Sequence, residues 1–275
     1  MKTNSWLSNA TKILDEANIP SARLDTLILL EDLTGKDRSW LLAHPDFNLT
    51  RTVLVELENL LGRRAAHEPL AYIRSKSEFY GRTFKVTPTT LQPRSETETM
   101  LDMLKLIISK QRGVKSLVIA DIGTGSGCIA ITAKLEWPEA EVYATEINQD
   151  ALKVAKQNAA NLKADVKFYI GNLLTPLSNA KYQISVILAN LPYVPDNHTI
   201  NQAAMQEPAV AIFGGPDGLD LYRGLFEQIS KIATKLQFLL TESLPFQHEA
   251  LATIAQEYGF RQLDEEDFIQ VFKRV

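Results

Sequence analysis

Apolar positions recur at helical spacing through residues 1–65. Trp6, Leu7, Ala10, Ile13, Leu14 and Ala17 form one stripe behind Asn4 or Ser5 as a cap, and Ile19-Pro20 ends it. Ser21 caps a second helix carrying Leu24, Leu27, Ile28 and Leu30, and Val53, Leu54, Leu57, Leu60 and Leu61 mark a third. The pattern predicts a small helical bundle without a catalytic signature of its own. Residues 78–92, EFYGRTFKVTPTTLQ, are rich in aromatic and β-branched side chains, with Gly81 and Pro88 as breakers. They predict a β-hairpin or two short strands joining two domains.

From residue 116 apolar runs and helical stripes alternate. The strands are SLVIADIG, EVYATEIN, VKFYIGN, QISVILANLPYV and QFLLTESL; the helices are SGCIAITAKLEW, QDALKVAKQNAANL and LYRGLFEQISKIATK. RQLDEEDF and IQVFKRV close the chain as an antiparallel pair. Alternating elements of this length imply an α/β fold with a mostly parallel sheet and helices on both faces.

Composition narrows the class. Of 275 residues 45% are hydrophobic and 23% charged, which excludes wholesale disorder and suggests about two domains. Cys128 is the single cysteine, so an intramolecular disulfide framework and a multi-thiolate zinc site are excluded, and a reducing compartment fits. The opening MKTNSWLSNATKILDEANIP has no signal-type apolar core, and no apolar run is long enough for a membrane helix. A cytoplasmic protein is expected. Net charge is −4, which argues against a protein living on nucleic acid. Residues 1–92 carry 12 basic and 11 acidic side chains, and the remainder 17 and 22. Basic residues gather between Arg63 and Lys85, either as a solvated face or as a surface for an acidic partner.

The candidate chemistry lies where strands meet loops. Asp121-Ile-Gly123-Thr124-Gly125-Ser126-Gly127 follows the first strand of the alternating part and opens its first helix. Glycines let the backbone turn sharply and a ligand approach closely. Alone, the loop fits a tight turn or another nucleotide fold equally well. It lacks the Gly-Lys-Ser/Thr ending of a triphosphate loop. Glu146, ending the next strand, can accept both ribose hydroxyls of a nucleoside, unless it is a solvated strand-end acid. Asp121 beside a cation and loop amides beside a carboxylate suit a ligand with both groups, as S-adenosylmethionine has. Asn172 and Leu173, after the third strand, are placed to meet adenine.

Asn190-Leu191-Pro192-Tyr193 follows the apolar run VILA. A planar –NH2 nitrogen is a poor nucleophile because its lone pair is delocalised. Two acceptors, the Asn190 side-chain oxygen and the Leu191 main-chain oxygen, can hold its hydrogens and aim it at a methyl sulfonium. Tyr193 can stack on the planar group, and Pro192 stiffens the turn. Catalysis then rests on orientation and placed dipoles, without an obligatory base. The bland alternative is a strand followed by a proline turn.

With these residues assembled, the sequence resembles the release-factor glutamine N5-methyltransferases over nearly its whole length. SARLDTLILLEDLTGKDRSWLLAHP looks like the family's helical domain, and PLAYIRSKSEFYGRTFKVTPTTLQPRSETE like its hairpin and linker. DIGTGSGCIA resembles its cofactor loop, ANLPYVP its Asn-Pro-Pro-Tyr motif, and EPAVAIFGGPDGLDLYR the segment after that motif. The resemblance implies a helical substrate-recognition domain (1–75), a hairpin linker (76–92) and a seven-stranded Rossmann-like S-adenosylmethionine-dependent domain (93–275). It implies methylation of the glutamine amide in the Gly-Gly-Gln motif of bacterial class-one release factors. Carried across, Gly123, Thr124, Gly125, Ser126 and Gly127 line the cofactor, Glu146 binds ribose and Leu173 lies beside adenine. Asn190 touches cofactor and substrate, Asn190 to Tyr193 hold the glutamine, and the segment with Arg94 and Thr97 closes over the cofactor.

Departures from the family pattern are Leu191 for a proline, Asn172 for an acid, Ser75 for a glycine, and Gln92-Pro93-Arg94-Ser95 for Ile-Pro-Arg-Pro. Asn-Leu-Pro-Tyr is also the form seen in ribosomal-RNA adenine N6-dimethyltransferases, the competing reading; such enzymes need a basic surface, and the net charge of −5 on residues 93–275 disfavours it. A scaffold that has lost turnover is the non-enzymatic alternative. His44, His67, His198 and His248 show no metal spacing, no metal is assigned, and Cys128 reads as a buried small hydrophobe. A monomer without membrane or direct nucleic-acid binding is expected.

Overall fold

A computed structural model describes residues 1–110, 117–179, 182–232 and 235–275. The expected strand residue Ser116 and the expected helix residues Ala233 and Thr234 lie outside these. Two compact units divide the chain: Met1–Arg74 with Asn201–Gln206, and Ser75–Ile200 with Glu207–Val275.

The first unit is helical: α1 (Thr3–Glu16), α2 (Ala22–Thr34), α3 (Arg38–Ala43), α4 (Arg51–Ala65) and α5 (Leu70–Arg74). Trp6, Leu7, Ala10 and Leu14 of α1 pack with Leu27, Leu29, Leu30, Leu41, Leu57 and Leu61 in one core. Two expected core residues are exposed: Ile13 at the edge of the α1 stripe and Leu24 on the outer side of α2. The caps differ too. The α1 N-cap is Lys2, without a side-chain cap bond, because the helix starts ahead of Asn4 and Ser5. Ser21 is the α2 N-cap, but its hydroxyl donates to Asp25 Oδ2 (2.9 Å). The same carboxylate oxygen accepts from Arg64 Nε at 2.7 Å, and both residues are buried. Arg63 is paired with Glu68, Arg74 with Asp32 and, in the second unit, Arg82 with Glu136. All four arginines of the basic stretch, Arg63, Arg64, Arg74 and Arg82, are thus engaged in intramolecular pairs; burial takes Arg64 out of a partner surface, whereas Arg63 stays partly exposed.

The second unit begins with a two-stranded hairpin, β1 (Lys76–Phe79) and β2 (Arg82–Lys85). Tyr80 (φ 50°) and Gly81 (φ 70°) form its turn, and two positive φ values in a two-residue loop match the right-handed strand twist. No strand follows β2 within the expected 78–92 segment, so the hairpin is shorter than the aromatic run suggested. Asn158 ties the hairpin to the rest: its Oδ1 accepts from Lys85 N (2.8 Å), and its Nδ2 donates to Lys85 O and Ser126 O.

After α6 (Glu98–Lys110) come β3 (Val118–Ile122), α7 (Cys128–Glu136), β4 (Glu141–Glu146), α8 (Gln149–Leu162), β5 (Lys167–Ile170) and β6 (Val186–Ala189). Then follow α9 (Asp220–Lys231), β7 (Phe238–Glu242), α10 (His248–Glu257), β8 (Phe260–Glu266) and β9 (Ile269–Arg274). The seven strands lie in the order β5-β4-β3-β6-β7-β9-β8. The first five are parallel, and β9 is antiparallel to β7 and β8. Period-two alternation feeds two cores: Val118, Ala120, Ile187 and Leu239 face Leu225, Phe226 and Leu251, whereas Ile119, Val186, Leu188 and Leu240 face Met100, Leu104 and Ile131. The strand order reverses between β3 and β6, and in open sheets ligands bind at the carboxyl ends beside such a switch. No helix among the described residues is long and apolar enough to cross a membrane.

Candidate active site

A cavity of about 500 Å³ opens at the carboxyl ends of β3, β4 and β6 within the second unit. Its floor is the glycine loop. Gly123 N and Thr124 N both donate to Thr145 O at the end of β4 (3.0 and 2.9 Å), and Gly127 N turns back to Thr124 O. Gly127 has a φ of 84°, and a Cβ there would meet Ile131 Cδ1 at 2.9 Å. A side chain is therefore opposed twice, by conformation and by close packing of α7.

Gly123, Thr124, Gly125, Ser126, Glu146, Asn172, Leu173, Asn190, Leu191, Pro192, Arg94 and Thr97 line the cavity. Gly127, Asp121 and Tyr193 do not line it. The expectation that Asp121 stands beside a ligand cation is not met. Asp121 is fully buried beneath the loop, where its Oδ2 accepts from the Thr124 hydroxyl (2.5 Å) and Ala130 N (3.1 Å). It pins the loop to the first turn of α7. Burial pushes its carboxyl up to about 7 against those two hydrogen bonds, and its Oδ1 has no partner among the described residues.

Glu146 ends β4 with both oxygens on backbone amides: Oε2 accepts from Gly125 N and Oε1 from Asn148 N, each at 2.9 Å. Each oxygen keeps a further lone pair, so the carboxylate is rigidly held and still able to accept from a diol. Asn172 and Leu173 stand just beyond β5, which ends at Ile170, and Leu173 takes a φ of 49°.

The tetrapeptide leaves β6 between two anchors. Asn190 Nδ2 donates to Thr97 Oγ1 (3.1 Å), which leaves Oδ1 as the free acceptor end of the amide. The Tyr193 hydroxyl donates to Glu242 Oε1 (3.0 Å), at the end of β7. Burial first, then the Glu242 carboxyl, pushes the Tyr193 phenol far up, so it stays protonated. The Tyr222 hydroxyl sits between Ala189 O and Glu242 O and accepts from Leu191 N (3.4 Å), bracing β6 against β7. From outside, Gly214 N donates to Val194 O (2.9 Å), and Gln247 Nε2 donates to Tyr193 O (2.8 Å) and Asp217 O (2.7 Å). A Cβ on Gly218 would lie 2.0 Å from Tyr193 O. The Gly-Gly-Pro-Asp-Gly segment is thus a mould for the tetrapeptide backbone.

A strap of residues 89–94 covers one side of the cavity. Its clasp is Glu207, buried, which accepts from Gln92 N (3.1 Å) and Arg94 Nη2 (2.5 Å). Glu207, Glu242 and Gln247 went unnoticed in sequence. Glu207 stands in the EPAVAIFGG signature, which marks its neighbourhood without a role; the other two carry no motif at all.

The comparisons with known proteins agree with this arrangement. The PrmC N-terminal domain family matches residues 5–74, and the methyltransferase small domain family matches residues 97–210. A release factor glutamine methyltransferase of Koribacter versatilis is 37% identical, covering 83% of this chain and 81% of its own length. That of Coxiella burnetii is 34% identical over 88% and 86%, and that of Deinococcus radiodurans 32% over 95% and 92%. The chain belongs to the release factor glutamine methyltransferase family.

Solved structures share the methyltransferase fold. The hMettl16 catalytic domain in complex with MAT2A 3'UTR hairpin 1 superposes with a TM-score of 0.53 at 13% identity, over 83% of this chain and 82% of that one. The T. Thermophilus 16S rRNA N2 G1207 methyltransferase in complex with AdoMet and guanosine gives 0.52 at 15% identity, over 73% and 50%. At such identities the likeness speaks for the fold alone.

Two departures from the family pattern have visible physical settings. Ser75 adopts a φ of 56°, the left-handed region where the family's glycine is unstrained. Leu191 is buried, and its Cδ2 lies 3.0 Å from where a Gly123 Cβ would sit, so leucine fills the space between loop and tetrapeptide.

Proposed function

We propose that this chain methylates the side-chain amide nitrogen (N5) of the glutamine in the Gly-Gly-Gln motif of bacterial class-one release factors, with S-adenosylmethionine as donor. Family membership supports the activity. The observation that carries the chemistry is Asn190, held by Thr97 so that Oδ1 remains as an acceptor in the cavity wall.

The cavity fits the donor. Glu146 is fixed by two backbone amides, where it would take the ribose hydroxyls, and the loop turns through positive φ at Gly123, Gly125 and Gly127. Asn172 and Leu173 would border the adenine, and the strap with Arg94 and Thr97 would cover the methionine side. When bound there, the cofactor supplies an electrophilic methyl group. Everything else falls to the chain. Asn190 Oδ1 and Leu191 O hold the two amide hydrogens, which turns the nitrogen lone pair toward the donor. Pro192 keeps that pair of acceptors at a fixed spacing. Tyr193, tied at its hydroxyl to Glu242, anchors the end of the tetrapeptide from outside the cavity lining. Alignment of this sort supplies much of the rate in displacement reactions. The enzyme is read as a cytoplasmic monomer acting on a protein rather than on nucleic acid. The acidic balance of residues 93–275 supports that choice against the adenine reading.

Incubation with methyl-labelled cofactor, purified release factor and ribosomal RNA separates the two. Label on the release factor alone is expected; label on the RNA alone refutes the proposal.

A further inference from the structure

Gln247 is buried at the start of α10 and stands outside the cavity lining. Its amide nevertheless ties three loops together. Oε1 accepts from Leu244 N (2.8 Å), just beyond β7. Nε2 donates to Tyr193 O (2.8 Å) on the tetrapeptide and to Asp217 O (2.7 Å) on the Gly-Gly-Pro-Asp-Gly loop. Two carbonyl oxygens facing one point repel unless a group with two protons on one atom stands between them. A primary amide provides this without charge, whereas an ammonium or guanidinium would be a buried cation. The loop glycines are cut to the contact. A Cβ on Gly218 would lie 2.4 Å from Gln247 Nε2, and one on Gly214 would lie 2.3 Å from Pro192 O. From α9, Arg223 Nη1 holds the same loop through Asp217 Oδ1 and Asp220 Oδ1, both at 2.9 Å.

We infer that Gln247 is a positioning residue that, by clamping the Tyr193 carbonyl, keeps the Leu191 carbonyl where the substrate amide is received. The inference rests on the reading of Leu191 O given above. Constraints bracket that carbonyl on both sides. Ahead of it, Leu191 N is held on the Tyr222 hydroxyl (3.4 Å). After it, the Pro192 ring restricts one torsion, Pro192 O abuts Gly214, and Tyr193 O ends on Gln247. Without Gln247 the segment is fixed at its start and loose at its end. The Leu191 peptide plane then swings, and one of the two acceptors that aim the substrate nitrogen moves with it.

The test uses two variants. Gln247→Met keeps the length of the side chain and removes both donors. Gln247→Glu keeps the shape. As a carboxylate it sets acceptor against the two carbonyls; protonated, it carries one O–H and restores one of the two bonds. The charged groups nearby are Asp217, Asp220 and Arg223 from the loop and α9, Glu242 at the end of β7, and the His248–Glu265 pair. The wild type carries all of them, so the ratio of variant to wild-type kcat isolates position 247.

The kcat and KM for release factor are measured at acidic and alkaline pH, beside cofactor affinity by calorimetry. Gln247→Met is expected to lower kcat by about 10- to 100-fold at either pH, the scale of a misplaced reacting group, with cofactor affinity nearly unchanged. Gln247→Glu should share that loss at alkaline pH and recover several-fold on acidification. A wild-type kcat in Gln247→Met, a Gln247→Glu deficit equal to that of Gln247→Met at both pH values, or cofactor affinity falling in step with kcat would overturn the inference. Backbone amide exchange gives a readout without substrate. Val194 N donates to Ile212 O and Gly214 N to Val194 O, each at 2.9 Å, where the tetrapeptide leaves the site. Both amides should exchange at least about tenfold faster in Gln247→Met, with the amides of β3 unchanged, because only the local opening is eased. Unaltered exchange at Val194 and Gly214 also overturns the inference. If exchange responds as expected while the wild-type enzyme leaves the release factor unmethylated, the functional reading fails and the clamp stands.

Discussion

Asn190 carries the most weight of any single residue. Its partner Thr97 is 93 positions away in sequence, and that bond assigns the two ends of the amide. Asn190→Ala should lower kcat by about 10²- to 10³-fold, the usual cost of one lost placed dipole, with cofactor affinity within a few-fold of wild type. Single-turnover kinetics beside calorimetry checks this, and retained turnover would contradict the acceptor role. Asp121 makes a different prediction. Its carboxyl is raised from 3.8 to about 7, so the folded chain keeps a proton that the unfolded chain has released. The stabilisation is complete below about pH 4 and is lost as pH rises through 7. Asp121→Asn retains an acceptor for Thr124 and Ala130 and removes that ionisation. Its urea midpoint should gain on the wild type between pH 5 and pH 8; a pH-independent difference would contradict the account. The sequence placed Asp121 at the loop but not beneath it, because an acid ahead of glycines looks the same whether it faces ligand or core.

Among the elements, periodicity located α1, α2 and α4 and the parallel strands. α3 and α5, with 6 and 5 residues, are too short to display a helical period. α6 does show one in buried Met100, Leu101 and Leu104, and α10 in Leu251 and Ala255, though neither was among the expected elements. Glu242 was legible only as the tail of a strand. Its meaning depends on β7 lying beside β6, a pairing of segments about fifty residues apart that no local pattern announces. Glycine effects likewise belong to this scale. Gly218 and Gly81 both have positive φ, 80° and 70°, but a Cβ at 218 strikes Tyr193 O at 2.0 Å whereas one at 81 meets nothing within 4 Å. Gly81→Ala should cost about 1 kcal/mol of stability and leave kcat alone. Gly218→Ala should displace the tetrapeptide and lower kcat at least tenfold, an order-of-magnitude expectation for a misplaced reacting group. Equal kinetic effects of the two would argue against the mould.

Across the whole molecule, charge and core separate two kinds of arginine. The basic stretch reads in sequence as a face, yet Arg64 is buried on Asp25 and spans 39 residues to reach it. Pairing of this kind is invisible to a count of charges, since the count ignores which carboxylate each cation finds. Removing one partner of a buried pair strands the other's charge and costs about 3–5 kcal/mol. Arg64→Leu should therefore lower the urea-unfolding stability of the chain by that amount, and Arg64→Leu/Asp25→Leu should recover much of it. An Arg64→Leu protein as stable as the wild type would return Arg64 to the surface.

The measurement that bears most directly on the whole account is tandem mass spectrometry of a class-one release factor after incubation with the enzyme and S-adenosylmethionine. The account predicts one added methyl group, on the side-chain nitrogen of the Gly-Gly-Gln glutamine, absent when Asn190→Ala replaces the wild type. A methyl group on another residue, or an unmodified release factor beside an enzyme that binds the cofactor, would contradict it.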